Sequence, residues 1–112
     1  MSFPYQHALL IANPIAGAGR GKQRAYALEA ALSTAGLQAE LRLTTGAGDA
    51  RRFAAERPPE VDVVVSIGGD GTLREILDGL QASGNAGTPV ATLPMGTANV
   101  LAMDFRLPRS IP

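Results

Sequence analysis

The run Gly68-Gly69-Asp70-Gly71-Thr72 has the residue types that a phosphate-binding loop requires. Consecutive glycines let backbone N–H groups approach an anion without a Cβ in the way, and a helix that begins there adds partial positive charge. Asp70 needs a further explanation, because a carboxylate repels phosphates unless it meets a metal ion, a sugar hydroxyl or the proton of a nucleophile. Asp70 is therefore the candidate catalytic residue.

A structural interpretation of the same residues stays open. Thr72 and Glu75 have the spacing of an S/T-x-x-E capping box, so the two side chains could close the start of the following helix. The glycines would then form only a tight turn. The two interpretations are compatible for Thr72.

Three further segments carry polar residues at predicted strand ends. Asn13 opens a glycine-containing loop, 13–21, and Thr44 with Thr45 ends the second predicted strand. Gly96, Thr97 and Asn99 follow the last predicted strand, where Thr97 could be a ligand contact or a simple N-cap. Each segment could touch a nucleotide or satisfy a turn.

Two common nucleotide-binding templates do not fit the loop 13–21. A Walker A loop needs Gly-Lys followed by Ser or Thr, whereas Gly21-Lys22 is followed by Gln23. The glycine spacing is also wrong for the Gly-x-Gly-x-x-Gly of dinucleotide-binding proteins. The sequence therefore supports neither P-loop hydrolysis nor ordinary dinucleotide binding.

The elements that must position these segments alternate regularly along the chain. The apolar patterns predict strands over 7–13, 37–44, 61–67 and 89–93, and helices over 22–35, 49–57, 72–82 and 97–103. The order β-α-β-α-β-α-β-α predicts an α/β fold, a three-layer Rossmann-like domain with a parallel sheet. Strand 37–44 alternates strictly and suits a sheet edge, whereas strand 61–67 is apolar throughout and suits the centre. Ligands bind such sheets at the carboxyl ends of the strands, where the polar segments lie.

Composition limits the class of protein. The 112 residues suit one domain over 1–112, and 10 basic against 10 acidic side chains argue against a nucleic-acid partner. The absence of cysteine and the single histidine exclude disulfides, thiol catalysis and His-rich or Cys-ligated metal sites. No apolar run is long enough for a transmembrane helix, and the amino-terminal residues do not have the pattern of a signal peptide, so we expect a cytoplasmic protein.

With these segments identified, the chain resembles the catalytic domain of the diacylglycerol kinase family, which includes sphingosine kinases and bacterial lipid kinases. The resemblance covers almost the whole chain and depends on four motifs in the family's order. They are Asn13-Pro14-Ile15-Ala16-Gly17, Thr44-Thr45-Gly46-Ala47-Gly48-Asp49-Ala50, Gly68-Gly69-Asp70-Gly71-Thr72-Leu73-Arg74-Glu75 and Leu93-Pro94-Met95-Gly96-Thr97-Ala98-Asn99.

The resemblance implies ATP as phosphoryl donor, Mg²⁺ as cofactor and a lipid hydroxyl as acceptor. It places Asp70 near the transferred phosphate and implies that Glu75 orients the loop or the nucleotide. It assigns no metal ligand within these 112 residues, because the family's second domain contributes the acidic groups for the metal. The nucleotide contacts that it implies are Asn13, Thr44, Gly68, Gly69, Asp70, Gly71, Thr72, Gly96, Thr97 and Asn99.

Two features depart from the family pattern. Arg74 stands where the family often has Asn, and the sequence ends after the fourth motif, whereas family members continue into a second, β-rich domain. We therefore expect the amino-terminal nucleotide-binding domain of a lipid kinase, with little or no turnover by itself. Peripheral membrane contact and self-association through an uncovered apolar face are further expectations.

Two alternatives remain at this point, a related enzyme with another acceptor and a protein of a different class. NAD kinases and phosphofructokinases also carry a Gly-Gly-Asp-Gly loop after a parallel strand, although the Asn13-Pro14 and 94–99 segments favour the lipid kinases. A non-catalytic module that binds a nucleotide or a protein partner is the second alternative.

Overall fold

The computed structural model describes residues 5–93 and the backbone of 104–106. The elements in chain order are β1 (His7–Ala12), α1 (Ala16–Gly19), α2 (Gly21–Thr34), β2 (Gln38–Leu43), α3 (Asp49–Ala55), β3 (Val63–Ile67), α4 (Asp70–Ala82), β4 (Val90–Thr92) and β5 (Asp104–Arg106). None of the helices in these residues is long and apolar enough to cross a membrane. The predicted helix 97–103 lies outside the described residues.

The sheet has the strand order β2-β1-β3-β4-β5, and the first four strands are parallel. The predicted α/β fold is therefore confirmed. The fifth strand differs from the prediction, because it runs antiparallel to β4 and pairs Arg106 with Val90. The sequence pattern did not predict this strand, because three residues are too few to show a side-chain alternation.

Two apolar clusters fill the space on the two faces of the sheet. On one face α2 packs Leu28 and Leu32 against the sheet, and on the other face α3 and α4 pack Ala54, Ile76 and Leu80 against it. β3 is buried along its whole length, as expected for a central strand. β2 lies at the sheet edge and turns its alternate apolar residues towards the core, also as predicted.

The connections make an opening at the carboxyl ends of β1 and β3. These strands are adjacent, but α2 leads from β1 to β2 on one side while α4 leads from β3 to β4 on the other. The two helices also lie on opposite faces of the sheet. Neighbouring loops therefore diverge here, which is the place where open parallel sheets bind ligands.

Two predicted boundaries need correction. The loop 13–21 contains one short helical segment, α1, in which Gly17 and Ala18 have left-handed φ values of 62° and 60°. Helix α4 begins at Asp70 instead of Thr72, so Gly69 is its N-cap and Thr72 is its third residue. The alternative interpretation as a capping box does not hold, since Thr72 already lies inside the helix.

Helices α3 and α4 approach so closely that one contact leaves no room for a side chain. A Cβ added to the buried Gly79 of α4 would overlap the carbonyl oxygen of Arg51 and lie 3.2 Å from the Cβ of Ala54. Both of these residues belong to α3. Gly79 thus sets the distance between the two helices.

We predict that Gly79→Ala destabilises the chain by about 1–3 kcal/mol, because the methyl group must push the helices apart. The sign is opposite to that of an ordinary Gly→Ala change in a helix, which stabilises by about 1 kcal/mol. Gly87→Ala is the control, since a Cβ there meets no atom within 4 Å. Urea denaturation of both variants measures the effect, and equal stabilities would contradict the prediction.

Candidate functional site

The glycine loop (Gly68-Gly69-Asp70-Gly71-Thr72) joins the central strand β3 directly to α4 at the opening described above. Gly68 has no space for a Cβ, which would lie 2.6 Å from Oγ1 of Thr72. A Cβ on Gly69 or Gly71, in contrast, would meet no atom within 4 Å. These two glycines therefore leave open space above the backbone at the start of the helix.

The start of α4 also leaves hydrogen-bond donors available. The N-cap Gly69 has an extended backbone and supplies no side-chain cap. The first N–H groups of a helix have no partner within the helix, and the helix dipole makes this end partially positive. An anion seated over Gly69 and Gly71 would meet these donors directly.

Asp70 is the first residue of α4 and is exposed. No residue in the described part of the chain forms a hydrogen bond or an ion pair with its carboxylate. A negative charge at this position interacts favourably with the helix dipole, which gives Asp70 a structural role as well. The structure thus places the candidate catalytic carboxylate at the opening, beside the open backbone of the glycines.

Asn13 fixes the neighbouring loop, which follows β1. Its N–H donates to the carbonyl oxygen of Ile67 at 2.9 Å, which ties it to the end of β3. Its side-chain Oδ1 accepts a hydrogen bond from the N–H of Ile15 at 3.2 Å and so forms a tight local turn. Gly21 belongs to the same arrangement, because a Cβ there would overlap the carbonyl oxygen of Asn13.

The two threonines after β2 have different roles. Thr45 donates both its N–H and its hydroxyl to Oδ2 of Asp49, each at 2.8 Å. These hydrogen bonds stabilise the turn that leads into α3. The N–H of Thr44 binds the carbonyl oxygen of Ala12 at 2.8 Å, which holds it beside β1. No hydrogen bond to another described residue occupies the Thr44 hydroxyl, which makes Thr44 the better ligand candidate.

Glu75 does not cap its own helix. Its Oε1 accepts hydrogen bonds from the N–H groups of Gly48 at 3.1 Å and of Arg51 at 3.4 Å, both at the start of α3. In place of the local capping box that was one of the two interpretations of Thr72 and Glu75, the structure has a contact between two helices.

Two cavities flank the glycine loop. The first, here called the Ser66 cavity, has a volume of about 500 Å³ and the second, here called the Thr44 cavity, about 530 Å³. The Ser66 cavity is lined by Gly68, Gly69 and Asp70, and the Thr44 cavity by Thr44, Gly71, Thr72 and Glu75. Asn13 borders both, so the structure brings the predicted residues of three motifs together around one helix start. The other three predicted site residues, Gly96, Thr97 and Asn99, lie outside the described residues.

Sequence reasoning missed Ser66 and Gly21. Ser66 is buried, with 2% of its surface exposed, and lines the Ser66 cavity from β3. It is the one polar residue in the apolar strand Val63–Ile67. A polar residue in a buried strand, two positions before the glycine loop, could have been used to predict that Ser66 belongs to the site. Gly21 had been considered only as a failed Walker A glycine, whereas its role is to let α2 pack on the Asn13 backbone.

The protein class follows from this arrangement: an α/β domain with a mainly parallel sheet and an open helix start, without a side-chain cap, at its strand switch point. The model of the diacylglycerol kinase catalytic domain matches residues 7–112, and the chain belongs to that family. Relatives include a diacylglycerol kinase of Bacillus subtilis (strain 168), 33% identical over 93% of this chain and 34% of the relative. A probable lipid kinase, YegS-like, of Stenotrophomonas maltophilia (strain K279a) is 42% identical over 69% of this chain and 25% of the relative.

Solved structures agree with the family assignment. The crystal structure of a diacylglycerol kinase from Bacillus anthracis str. Sterne matches with a TM-score of 0.70 and 29% identity. The match covers 83% of this chain and 32% of that one. The chain therefore spans about a quarter to a third of the length of these relatives.

The Thr45–Asp49 contact predicts a pH effect. The N–H and then the hydroxyl of Thr45, with a smaller effect from Arg52, lower the pKa of Asp49 below its ordinary value of 3.8. A lowered pKa in the folded state means that this contact stabilises the turn fully above pH 3.8 and is lost as the pH falls through the folded value.

We expect an NMR titration of the Asp49 carboxyl carbon to give a midpoint below 3.8, and Thr45→Val to move that midpoint upwards. The valine has the shape of threonine but has no hydroxyl to donate. A wild-type midpoint at or above the ordinary value would contradict the prediction.

Proposed function

We propose that this chain is the nucleotide-binding domain of a lipid kinase and that it binds ATP at the glycine loop. The observation that carries the proposal is the open space over Gly69 and Gly71 at an uncapped helix start. Asn13 borders both cavities beside these glycines and Thr44 borders the one that Gly71 lines, which suits the phosphates and the remainder of a nucleotide. Family membership supports a lipid kinase over the NAD kinase and phosphofructokinase alternatives.

The residues present fit a Mg²⁺ ion that arrives with the nucleotide. In the described part of the chain, no three His, Cys, Asp or Glu side chains are grouped to hold a metal by themselves. Mg²⁺ commonly needs only one or two carboxylates together with phosphate oxygens and water, and Asp70 offers one such carboxylate. When bound, Mg²⁺ would neutralise part of the phosphate charge, and its presence would explain an acidic residue in an anion site.

The reaction that we propose for the whole protein is transfer of the γ-phosphoryl group from ATP to a lipid hydroxyl. The bond between the γ-phosphorus and the β,γ-bridging oxygen breaks, a bond to the lipid oxygen forms, and the hydroxyl proton leaves to a base. This chemistry depends mainly on positioning and charge stabilisation, which the helix start and Asp70 would supply.

The names of the relatives favour a diacylglycerol-like acceptor. This chain matches about a third of the length of the Bacillus subtilis relative. We propose that the lipid site and full turnover need regions that correspond to the rest of that relative. A cytoplasmic location, peripheral contact with the membrane that holds the acceptor, and self-association complete the proposal. Co-sedimentation with vesicles and analytical ultracentrifugation test the last two points.

The first test of this proposal is calorimetric titration of the chain with MgATP and with metal-free ATP. We expect Asp70→Asn to weaken MgATP binding by about tenfold, or ~1.4 kcal/mol, because a neutral amide is a poorer magnesium ligand. Binding of metal-free ATP should stay equal or improve, since a negative charge beside the phosphates has been removed.

Asp78→Asn is the matched control, because Asp78 is an exposed carboxylate on the same helix. Absence of MgATP binding by the wild-type chain at millimolar concentration would contradict nucleotide binding by this domain alone. Equal effects of Asp70→Asn on the two titrations would contradict the magnesium role.

A second test separates ligand binding from folding. Gly71 is the second residue of α4, and a Cβ there meets no protein atom. Gly71→Ala should therefore keep or raise stability, by up to about 1 kcal/mol, because alanine favours a helix. Its methyl group enters the space where an anion would lie, so we expect MgATP affinity to fall about tenfold or more.

Gly87→Ala is again the control, with open space around its Cβ and a position among residues that line neither cavity. Thermal denaturation and calorimetry on the same samples give both readouts. Full MgATP affinity in Gly71→Ala would show that the nucleotide does not approach the glycine loop.

A further inference from the structure

Glu75 connects two parts of the site that are distant in sequence. Its Oε1 accepts from the N–H of Gly48 at 3.1 Å and from the N–H of Arg51 at 3.4 Å. Gly48 is the N-cap of α3 and has no side chain with which to cap that helix. The carboxylate of α4 thus supplies, from 27 residues away, the cap that α3 lacks.

The segment stabilised by this cap is the Thr44 loop, residues 44–48, which forms one wall of the Thr44 cavity. At its first residue the loop is tied to β1 through the N–H of Thr44. Internally it is tied through Thr45 and Asp49. Glu75 provides the hydrogen bond that connects the far end of the loop to α4.

Glu75 is also rigidly connected to the opposite wall of the cavity. It lies one helical turn after Gly71 and Thr72, which line the same cavity. The carboxylate therefore fixes the separation between the Thr44 loop and the glycine loop. Packing at Gly79 holds the middle of α3, whereas Glu75 holds its first turn.

We infer that Glu75 is a positioning residue, which sets the width of the Thr44 cavity by holding the Thr44 loop to α4 and does not itself bind the nucleotide. The inference deepens the proposed function and rests on it for the identity of the ligand. A positioning role and a direct ligand role require different chemical properties of the side chain at position 75. A positioning residue needs an acceptor oxygen for two N–H groups, a role that Oε1 fills here, whereas a metal ligand needs the negative charge.

The test compares Glu75→Gln, Glu75→Ala and wild type in the whole chain. Glutamine keeps a carbonyl oxygen that can accept from Gly48, whereas alanine removes it. Asp78→Ala is the matched control, because it deletes an exposed carboxylate one turn further along α4. Hydrogen exchange at the Gly48 and Arg51 amides is measured without ligand, and MgATP affinity by calorimetry.

We expect Glu75→Ala to speed exchange at both amides by about tenfold or more and to weaken MgATP binding about tenfold, as for loss of one hydrogen bond to a charged group. Glu75→Gln should restore both readouts to within about threefold of wild type, and Asp78→Ala should change neither. Restoration by glutamine separates positioning from a role that needs charge.

Other outcomes overturn the inference. In one such outcome, Glu75→Gln weakens MgATP binding as much as Glu75→Ala does, while hydrogen exchange at the Gly48 amide of Glu75→Gln stays normal. The negative charge of Glu75 would then be the functional feature. Unchanged exchange and binding in Glu75→Ala would remove any positioning role. If the wild-type chain does not bind MgATP, the proposed function fails, and the exchange data alone decide whether Glu75 holds the loop.

Discussion

The short turn between β3 and α4 is the constraint on which the rest of the site depends. Only Gly68 and Gly69 separate the last residue of the central strand from the first residue of the helix. So short a turn folds Thr72 back over Gly68, where a Cβ would lie 2.6 Å from the threonine hydroxyl. It also directs the free N–H groups of α4 at the opening between β1 and β3. A longer turn would let the helix start elsewhere, and the donors would no longer lie beside Asn13.

The alternation of elements could be predicted because each strand and helix carries its own periodicity. The buried strand β3 and the edge strand β2 were both assigned correctly from side-chain pattern alone. The start of α4 was not, because Thr72 and Glu75 satisfy the local spacing of a capping box. The competing partners of Glu75 are backbone groups of α3, and no local pattern contains them. β5 was missed for a related reason, since its three residues are defined only by pairing with β4.

Much of the candidate site follows from topology once the sheet is parallel. Residues after β1, β2 and β3 must meet at one edge, so Asn13, Thr44 and the glycine loop were expected to be neighbours. Residue type alone could not separate Thr44 from Thr45, because both are small hydroxyl residues at a strand end, and only the family resemblance favoured Thr44. The difference arises from Asp49, four residues later, which occupies the hydroxyl of Thr45 only. The need for glycine at position 21 likewise arises from the close approach of α2 to the Asn13 backbone. No local sequence pattern encodes that distance.

The open start of α4 also shows how the structural and functional interpretations of the glycine loop combine. A glycine N-cap costs only a few tenths of a kcal/mol relative to Ser, Asp or Asn, so leaving the donors uncapped weakens the fold very little. Asp70 offsets part of that loss, because a carboxylate in the first turn favours the helix dipole. The same charge opposes a bare phosphate and favours one accompanied by a cation. Helix stability and selection of a cation-bound phosphate therefore both favour a carboxylate at position 70. Only a comparison of nucleotide binding with and without Mg²⁺ distinguishes the two roles.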